Sequence, residues 1–287
     1  MTVPTLESPR ALIRRYGLRA RKRFGQHFLV CPDTVAVSVA AVDLARTPNV
    51  IEIGPGPGVL TRAALAKGAH VCAIERDADL CAFLRDDLGG HPCFHLVEGD
   101  AVTFDYGHAF PPSEVTSLGV PSVLGNLPYN LTGPLLFALL TAHRVTGRWV
   151  VMVQKEVGDR LLAPPGHPDY GGLSIAIGRL RAPRLLAVVP PERFDPAPRV
   201  FSSVLELAPR EVPLGEVPDD TRFLAFVRIA FQKRRKMLRN SLRGFADGAR
   251  VDRALATTGI DPTLRPEDLS ASDFAALFRA LVEPADA

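Results

Sequence analysis

Asn126, Leu127, Pro128 and Tyr129 stand together at the end of a short apolar run, Ser122-Val123-Leu124-Gly125, and their types suit one task. Proline fixes the turn, so the Asn126 amide and the Leu127 backbone carbonyl can point at one small polar group while the Tyr129 ring lies beside it. An exocyclic amine on a flat base would donate one hydrogen bond to each oxygen, and the base would stack on tyrosine at roughly 1–3 kcal/mol. The alternative is a polar strand-to-helix turn holding a core tyrosine. These four residues alone leave both open. A helical pattern follows, expected to start with Thr132 as its cap and Pro134 just inside it.

The elements needed to position such a socket lie upstream. Val50-Ile51-Glu52-Ile53 reads as a buried strand, and Gly54-Pro55-Gly56-Pro57-Gly58 as a glycine loop opening onto a helix around Leu60 to Ala66. Glycine at alternate positions lets backbone approach a ligand closely. The dinucleotide fingerprint Gly-x-Gly-x-x-Gly is not met, because position 59 is valine and the third glycine comes one residue early. A second strand, His70 to Ile74, ends at Glu75, where an acid can accept hydrogen bonds from both hydroxyls of a ribose. A third, Phe94 to Val97, ends at Gly99-Asp100, where an acid can accept from an adenine amine. A glycine loop, an acid after the second strand and an acid after the third, in this order, is the pattern of S-adenosylmethionine sites, with another nucleotide pocket as the alternative. In a doubly wound parallel sheet the first and fourth strands are neighbours. Asn126 would then lie beside the glycine loop, and a methyl donor cradled there would be close to an amine held by Asn126.

The rest of the chain sets the context. At 287 residues it suits one large domain plus a small one, and 47% hydrophobic with 23% charged residues excludes disorder. No apolar run is long enough to span a bilayer. The net charge of +3 hides two basic clusters: Arg10, Arg14, Arg15, Arg19, Arg21, Lys22 and Arg23, opposed only by Glu7, and Arg228, Lys233, Arg234, Arg235, Lys236, Arg239 and Arg243, with no acid among them. They suit a phosphate-rich partner; the alternative is two solvated faces. Cys31, Cys72, Cys81 and Cys93 lack paired spacing, which fits reduced thiols in the cytoplasm. His91, Cys93 and His95 alternate as metal ligands could, but no fourth ligand is near, and no metal is expected. Met1 to Arg23 reads as a short basic helix, a working segment rather than a transit peptide because its arginines run directly into Arg23-Phe24-Gly25-Gln26-His27-Phe28-Leu29. Thr34 to Ala45 reads as a helix with Asp33 as its cap candidate. Leu185 to Val189 and Ser203 to Leu207 read as a final strand pair. The proline-stiffened loop between them would hold Phe194 as the second face of a base sandwich, or else pin the loop to the core. Glu211 to Pro218 is a linker, and helices follow it.

Taken together, Arg23 to Leu29, Glu52 to Gly58, Glu75, Asp100, Asn126 to Tyr129, Gln154 to Glu156, Phe194 to Ser202 and Gln232 to Leu242 resemble the bacterial small-subunit (16S) ribosomal RNA adenine N6,N6-dimethyltransferases, the kasugamycin-sensitivity methyltransferase family. The resemblance covers nearly the whole chain. It implies an α/β fold, a Rossmann-like S-adenosylmethionine-dependent methyltransferase sheet over residues 1–210, with a small all-α RNA-recognition domain over 211–287. It implies methyl transfer to two adjacent adenines near the end of small-subunit rRNA in the immature small ribosomal subunit, by a cytoplasmic monomer that does not engage a membrane. It also implies cofactor contacts from His27, Leu29, Gly54, Gly56, Glu75, Asp100 and Asn126, with Asn126, Leu127, Tyr129 and Phe194 at the reacting base. Two positions depart from the family pattern. The family frequently has Asn where His27 stands, and histidine protonation would then tie cofactor binding to pH. Leu131-Thr132-Gly133 replaces the commoner Ile-Ser-Thr. The macrolide-resistance methyltransferases of large-subunit rRNA share the chemistry, while a nicotinamide dehydrogenase or a non-catalytic RNA-binding assembly factor would leave the Asn126 socket without a use.

Overall fold

Val50, Ile51 and Ile53 are buried in β2 (Asn49–Ile53), the strand around which the sheet is assembled. Such β-branched side chains are stiff at χ1 and pack well on a sheet covered on both faces. The structure is a computed structural model that describes residues 9–17, 20–21, 25–232 and 236–282. Leu18, Arg19, Lys22, Arg23, Phe24, Lys233, Arg234 and Arg235, which the sequence reading placed in the basic arms and the first motif, lie outside the described residues. Strand β2 pairs in parallel with β3 (His70–Glu75), and β3 with β4 (Phe94–Glu98). On its other side β2 pairs in parallel with β5 (Ser122–Asn126), which pairs with β6 (Trp149–Gln154). Antiparallel β9 (Ser202–Pro209) and then β7 (Arg181–Val189) complete a seven-stranded sheet of order β4-β3-β2-β5-β6-β9-β7. The chain winds outward in both directions from β2, so the carboxyl ends of β2 and β5 flank the switch point where ligands bind in open α/β sheets. A short pair, β1 (Phe28–Leu29) with β8 (Phe194–Asp195), aligns Phe28 with Asp195 and Leu29 with Phe194.

Every strand expected from the sequence is present, with β7 starting earlier, at Arg181. The helices differ more. Helix α1 (Pro9–Arg15) is short, with Leu12 and Ile13 buried and the Tyr16 ring 4.6 Å from Phe83. Helix α2 (Pro32–Ala40) starts at Pro32 after Cys31, without a side-chain cap, rather than at Thr34 after a cap by Asp33, and stops before Ala45. Helices α3 (Val59–Ala66) and α4 (Ala78–Leu88) follow the strands they connect, and α4 is capped by Asp77, whose carboxylate accepts from the Asp79 amide. Helix α5 (Pro112–Leu118) starts on a proline, which gives up an N–H that has no helical partner in the first turn anyway. Helix α6 (Thr132–Thr141) has Leu131 at its cap; Thr132 is the first helical residue, and its hydroxyl donates to the Pro128 carbonyl at 3.2 Å.

The chain divides into two compact units, Met1–Gly158 with Arg184–Ala208, and Asp159–Pro183 with Pro209–Ala287. The expected division at 210/211 is therefore corrected for 159–183, which packs with the helical unit. The reason is apolar: Tyr170, between α7 (Lys155–Leu162) and α8 (Gly172–Leu180), and Ile175 within α8 are buried among the phenylalanines of that unit. These come from α9 (Asp220–Phe231) and α12 (Ala271–Val282), which pack with α10 (Leu238–Ser241) and α11 (Gly248–Thr258). Asp219 and Asp247 cap α9 and α11, accepting from the Arg222 and Arg250 amides at 3.0 and 2.9 Å. Phe226 lies at the centre, its ring 5.5 Å from Phe278, 5.8 Å from Phe274 and 5.0 Å from Phe245. Phe226→Ala therefore leaves a cavity in this core and should lower its unfolding free energy by about 3–5 kcal/mol in denaturant titration; a loss below about 1 kcal/mol would contradict this packing.

Candidate active site

At the carboxyl ends of β2, β3 and β5, within the first unit, lies a cavity of about 740 Å³, open to solvent. Among its lining residues are Gly54, Gly56, Glu75, Asp100, Asn126 and Tyr129, joined by His27 and Leu127. Gly56 has φ +56°, and a Cβ there would meet the Phe28 ring at 3.3 Å, so only glycine lets this loop run along the cavity. Its N–H donates to Glu75 Oε2 at 3.2 Å, while Arg76 and Asp77 N–H groups donate to Oε1 at 2.8 and 2.9 Å. Burial raises the Glu75 carboxyl, and these backbone donors counter that rise. Asp100 accepts from the Val102 amide at 2.9 Å and pairs with Arg76 at 3.2 Å.

The amine socket is built on β5 and the turn after it. Gly125 precedes Asn126, and a Cβ there would sit 2.8 Å from the Ile53 carbonyl, so glycine permits the close approach of β2 and β5 beneath the site. Asn126 Nδ2 donates to the His27 backbone carbonyl at 2.7 Å. The nitrogen end of the amide is thereby occupied, and Oδ1 is the end left to accept from a ligand. The Leu127 side chain is buried and its N–H donates to the Met152 carbonyl at 3.0 Å, which fixes the turn. Tyr129 OH lies 2.5 Å from Ser202 Oγ, and burial raises the phenol while this hydrogen bond lowers it. The ring is held by its far end and its plane is fixed.

Two expected residues lie elsewhere. Phe194 is 2% exposed, sits in the main core with Leu29 and is not among the cavity residues. Pairing of β8 with β1 sets it in the core, where it pins the loop; the sandwich expectation is corrected. Leu29 is likewise buried in that core and not among the cavity residues. The ring beside Tyr129 is His27, with centroids 5.3 Å apart and planes at 27°. Sequence reasoning also missed Arg76, Gly125 and Ser202. Arg76 directly follows Glu75, and its reach to Asp100 depends on β3 and β4 being neighbours, which the order of strands could have suggested. The pairing of Tyr129 with Ser202 has no sequence signal.

A family model for ribosomal RNA adenine dimethylase matches residues 17–283. The chain belongs to this family. A ribosomal RNA small subunit methyltransferase A from Anaeromyxobacter sp. (strain K) is 42% identical over 284 residues, covering 96% of this chain and 98% of the relative. One from Myxococcus xanthus (strain DK1622) is 38% identical over 279 residues, covering 96% of each. Among solved structures, 23S rRNA methyltransferase ErmE has a TM-score of 0.63 at 26% identity, covering 89% of this chain and 100% of that one. A dimethyladenosine transferase from Plasmodium falciparum has a TM-score of 0.68 at 24% identity over 88% and 96%, and shares the fold. This dimethylase is an S-adenosylmethionine-dependent rRNA adenine methyltransferase.

The cavity fits that cofactor. Glu75 is nine-tenths buried, and its three backbone donors leave lone-pair capacity on Oε2 for ribose hydroxyls. A Cβ at Gly54 would meet no atom within 4 Å, so the loop leaves open space at this point. Beneath the loop Glu52 is buried, accepting from Thr61 Oγ1 at 2.6 Å, and burial lifts its carboxyl from 4.5 to about 7. Between those values the folded chain holds the proton and the unfolded chain has lost it. The contribution of Glu52 is therefore complete below 4.5 and is lost as pH rises through about 7. Removing this slope, which amounts to about 3 kcal/mol, Glu52→Gln should flatten the fall in stability between pH 4.5 and 7 in denaturant titrations. An unchanged slope would show that Glu52 titrates normally.

Proposed function

We propose that this dimethylase converts two adjacent adenines in the 3′-terminal hairpin of small-subunit (16S) rRNA to N6,N6-dimethyladenine, acting as a cytoplasmic monomer on the immature small ribosomal subunit. The observation that carries the reading is the Asn126 amide, held by the His27 carbonyl with Oδ1 left for a donor. Adenine N6 is a poor nucleophile because its lone pair is delocalised into the ring. Asn126 Oδ1 and the Leu127 carbonyl accept the two N6 hydrogens, favour a pyramidal nitrogen and stabilise the positive charge that grows on it. When bound, S-adenosylmethionine supplies an electrophilic methyl group on a sulfonium sulfur. Glu75 and Asp100 hold its ribose and adenine, the glycine loop its remainder, and Tyr129 receives the face of the flipped target base. This is electrostatic preorganisation.

Small-subunit rRNA is favoured over large-subunit rRNA because the relatives named for the small subunit match at 38–42% identity over nearly the full chain, against 26% for the 23S enzyme. The helical unit would meet the RNA backbone. Arg228, Lys236 and Arg243 are exposed there, whereas Arg239 is held by Asp252 through two hydrogen bonds of 2.5 Å each. In the other basic cluster Arg21 is held by Asp77 and Asp79, so it ties the arm to α4. No described helix is long and apolar enough to cross a membrane. Asn126→Ala should lower methyl transfer to immature small subunits about 10²–10³-fold, read by mass analysis of the rRNA, with RNA affinity retained. Transfer at the normal rate would contradict the role of Asn126.

A further inference from the structure

Arg21 belongs to the basic arm by sequence, yet its guanidinium is paired within the chain. It meets Asp79 and lies 3.2 Å from Asp77 Oδ1, while the Arg21 backbone N–H donates to Gln26 Oε1 at 2.7 Å. Gln26 Nε2 in turn donates to Asp77 Oδ2 at 3.4 Å. Asp77 is 2% exposed, caps α4 by accepting from the Asp79 amide, and donates its own N–H to Glu75 Oε1 at 2.9 Å. One buried carboxylate thus joins the arm, the start of α4 and the acid expected at the cofactor ribose. Residues 25–28, which follow the arm, form part of the cavity wall. Gly25 has φ +62°, and a Cβ there would sit 2.5 Å from Asn130 Oδ1, so the wall lies close against the turn that follows Asn126. Pairing of β1 with β8 fixes the far end of this strap. Its near end has the contacts of Arg21 and Gln26 with Asp77.

Resting on the reading of this cavity as the cofactor site, we propose that Arg21 is a positioning residue: by gripping Asp77 it latches residues 25–28 in place as a wall of the S-adenosylmethionine cavity, and it is not an RNA contact. A strap released at its near end leaves the wall incomplete in part of the population. The apparent cofactor affinity then falls with the fraction of chains in which the wall is in place. The grip is electrostatic and reached by salt, because the Arg21 side chain is 35% exposed although Asp77 is buried. Cofactor affinity therefore acquires a salt dependence from an ion pair that the cofactor does not touch.

Arg21→Ala removes the grip without altering a cavity residue, and the arm keeps its apolar seat on α4, with Tyr16 on Phe83 and Ile13 clustered with Leu80. Calorimetric titration with S-adenosylhomocysteine should show affinity about tenfold lower than the parent at low salt, the scale of one charge-assisted hydrogen bond. The loss of parent affinity between about 50 mM and 0.5 M salt should be nearly absent in the variant. Arg21→Lys, which keeps the charge, should regain part of both the affinity and its salt dependence. The denaturant midpoint of Arg21→Ala should match the parent, and its affinity for immature small subunits at saturating S-adenosylhomocysteine should stay within about twofold. Unchanged S-adenosylhomocysteine affinity in Arg21→Ala, an equal salt slope in variant and parent, or weakened subunit binding with cofactor affinity intact would each overturn the proposal. A parent chain that binds no S-adenosylhomocysteine would instead refute the reading of the cavity, and the latch with it.

Discussion

The orientation of one side-chain amide is the constraint on which the site depends. Asn126 could present nitrogen or oxygen to the cavity, and only oxygen can accept from an amine. The His27 carbonyl settles this by taking the Nδ2 hydrogen bond at 2.7 Å. Much of the surrounding architecture serves that contact. Strand β5 must lie against β2 to bring Asn126 to the glycine loop, which Gly125 allows by leaving room for the Ile53 carbonyl. The short β1–β8 pair must form to carry His27 over the turn, and it is anchored by burying Leu29 and Phe194 together.

The cofactor half of the cavity follows a different logic, in which backbone does most of the work. Glu75 is set by three main-chain N–H groups, so its geometry is insensitive to side-chain motion. A buried carboxylate is expensive unless its lone pairs are met, and these donors leave it able to accept from a ligand's hydroxyls. Glu52 beneath the loop is the opposite case. It has one hydroxyl donor, its Oε1 is buried without a hydrogen bond, and its carboxyl holds a proton up to about pH 7.

How much of this was legible in the sequence depends on the range of the interaction. Strands such as Val50 to Ile53 and His70 to Ile74 are local apolar runs ended by glycine or an acid, so their places and the acids at their ends could be read directly. Helix starts were less legible: Asp33 and Thr132 have capping side chains, yet Pro32 begins one helix two residues early and Thr132 turns its hydroxyl to Pro128. Phe194 shows the limit at the site. A proline-stiffened loop predicts a fixed aromatic ring but not which way it faces, and that is decided by pairing with residues 28 and 29, far away in the chain. His27 was legible as a motif residue, whereas its stacking on Tyr129 and its bond to Pro196 are products of the same distant pairing. The helical unit repeats the lesson, since Asp252 reaches Arg239 from the next helix and ties up one arginine of a cluster that looks wholly basic along the chain.

The central claim is that Asn126 Oδ1 and the Leu127 carbonyl hold the target amine beside the methyl donor. A structure of the chain with its hairpin RNA and a non-reactive analogue of S-adenosylmethionine measures this directly. The account predicts a flipped adenine on Tyr129 with N6 within hydrogen-bond distance of both oxygens, and the analogue along Gly54 to Gly58. An N6 directed away from residues 126 and 127, or a glycine loop that leaves the analogue elsewhere, would contradict it.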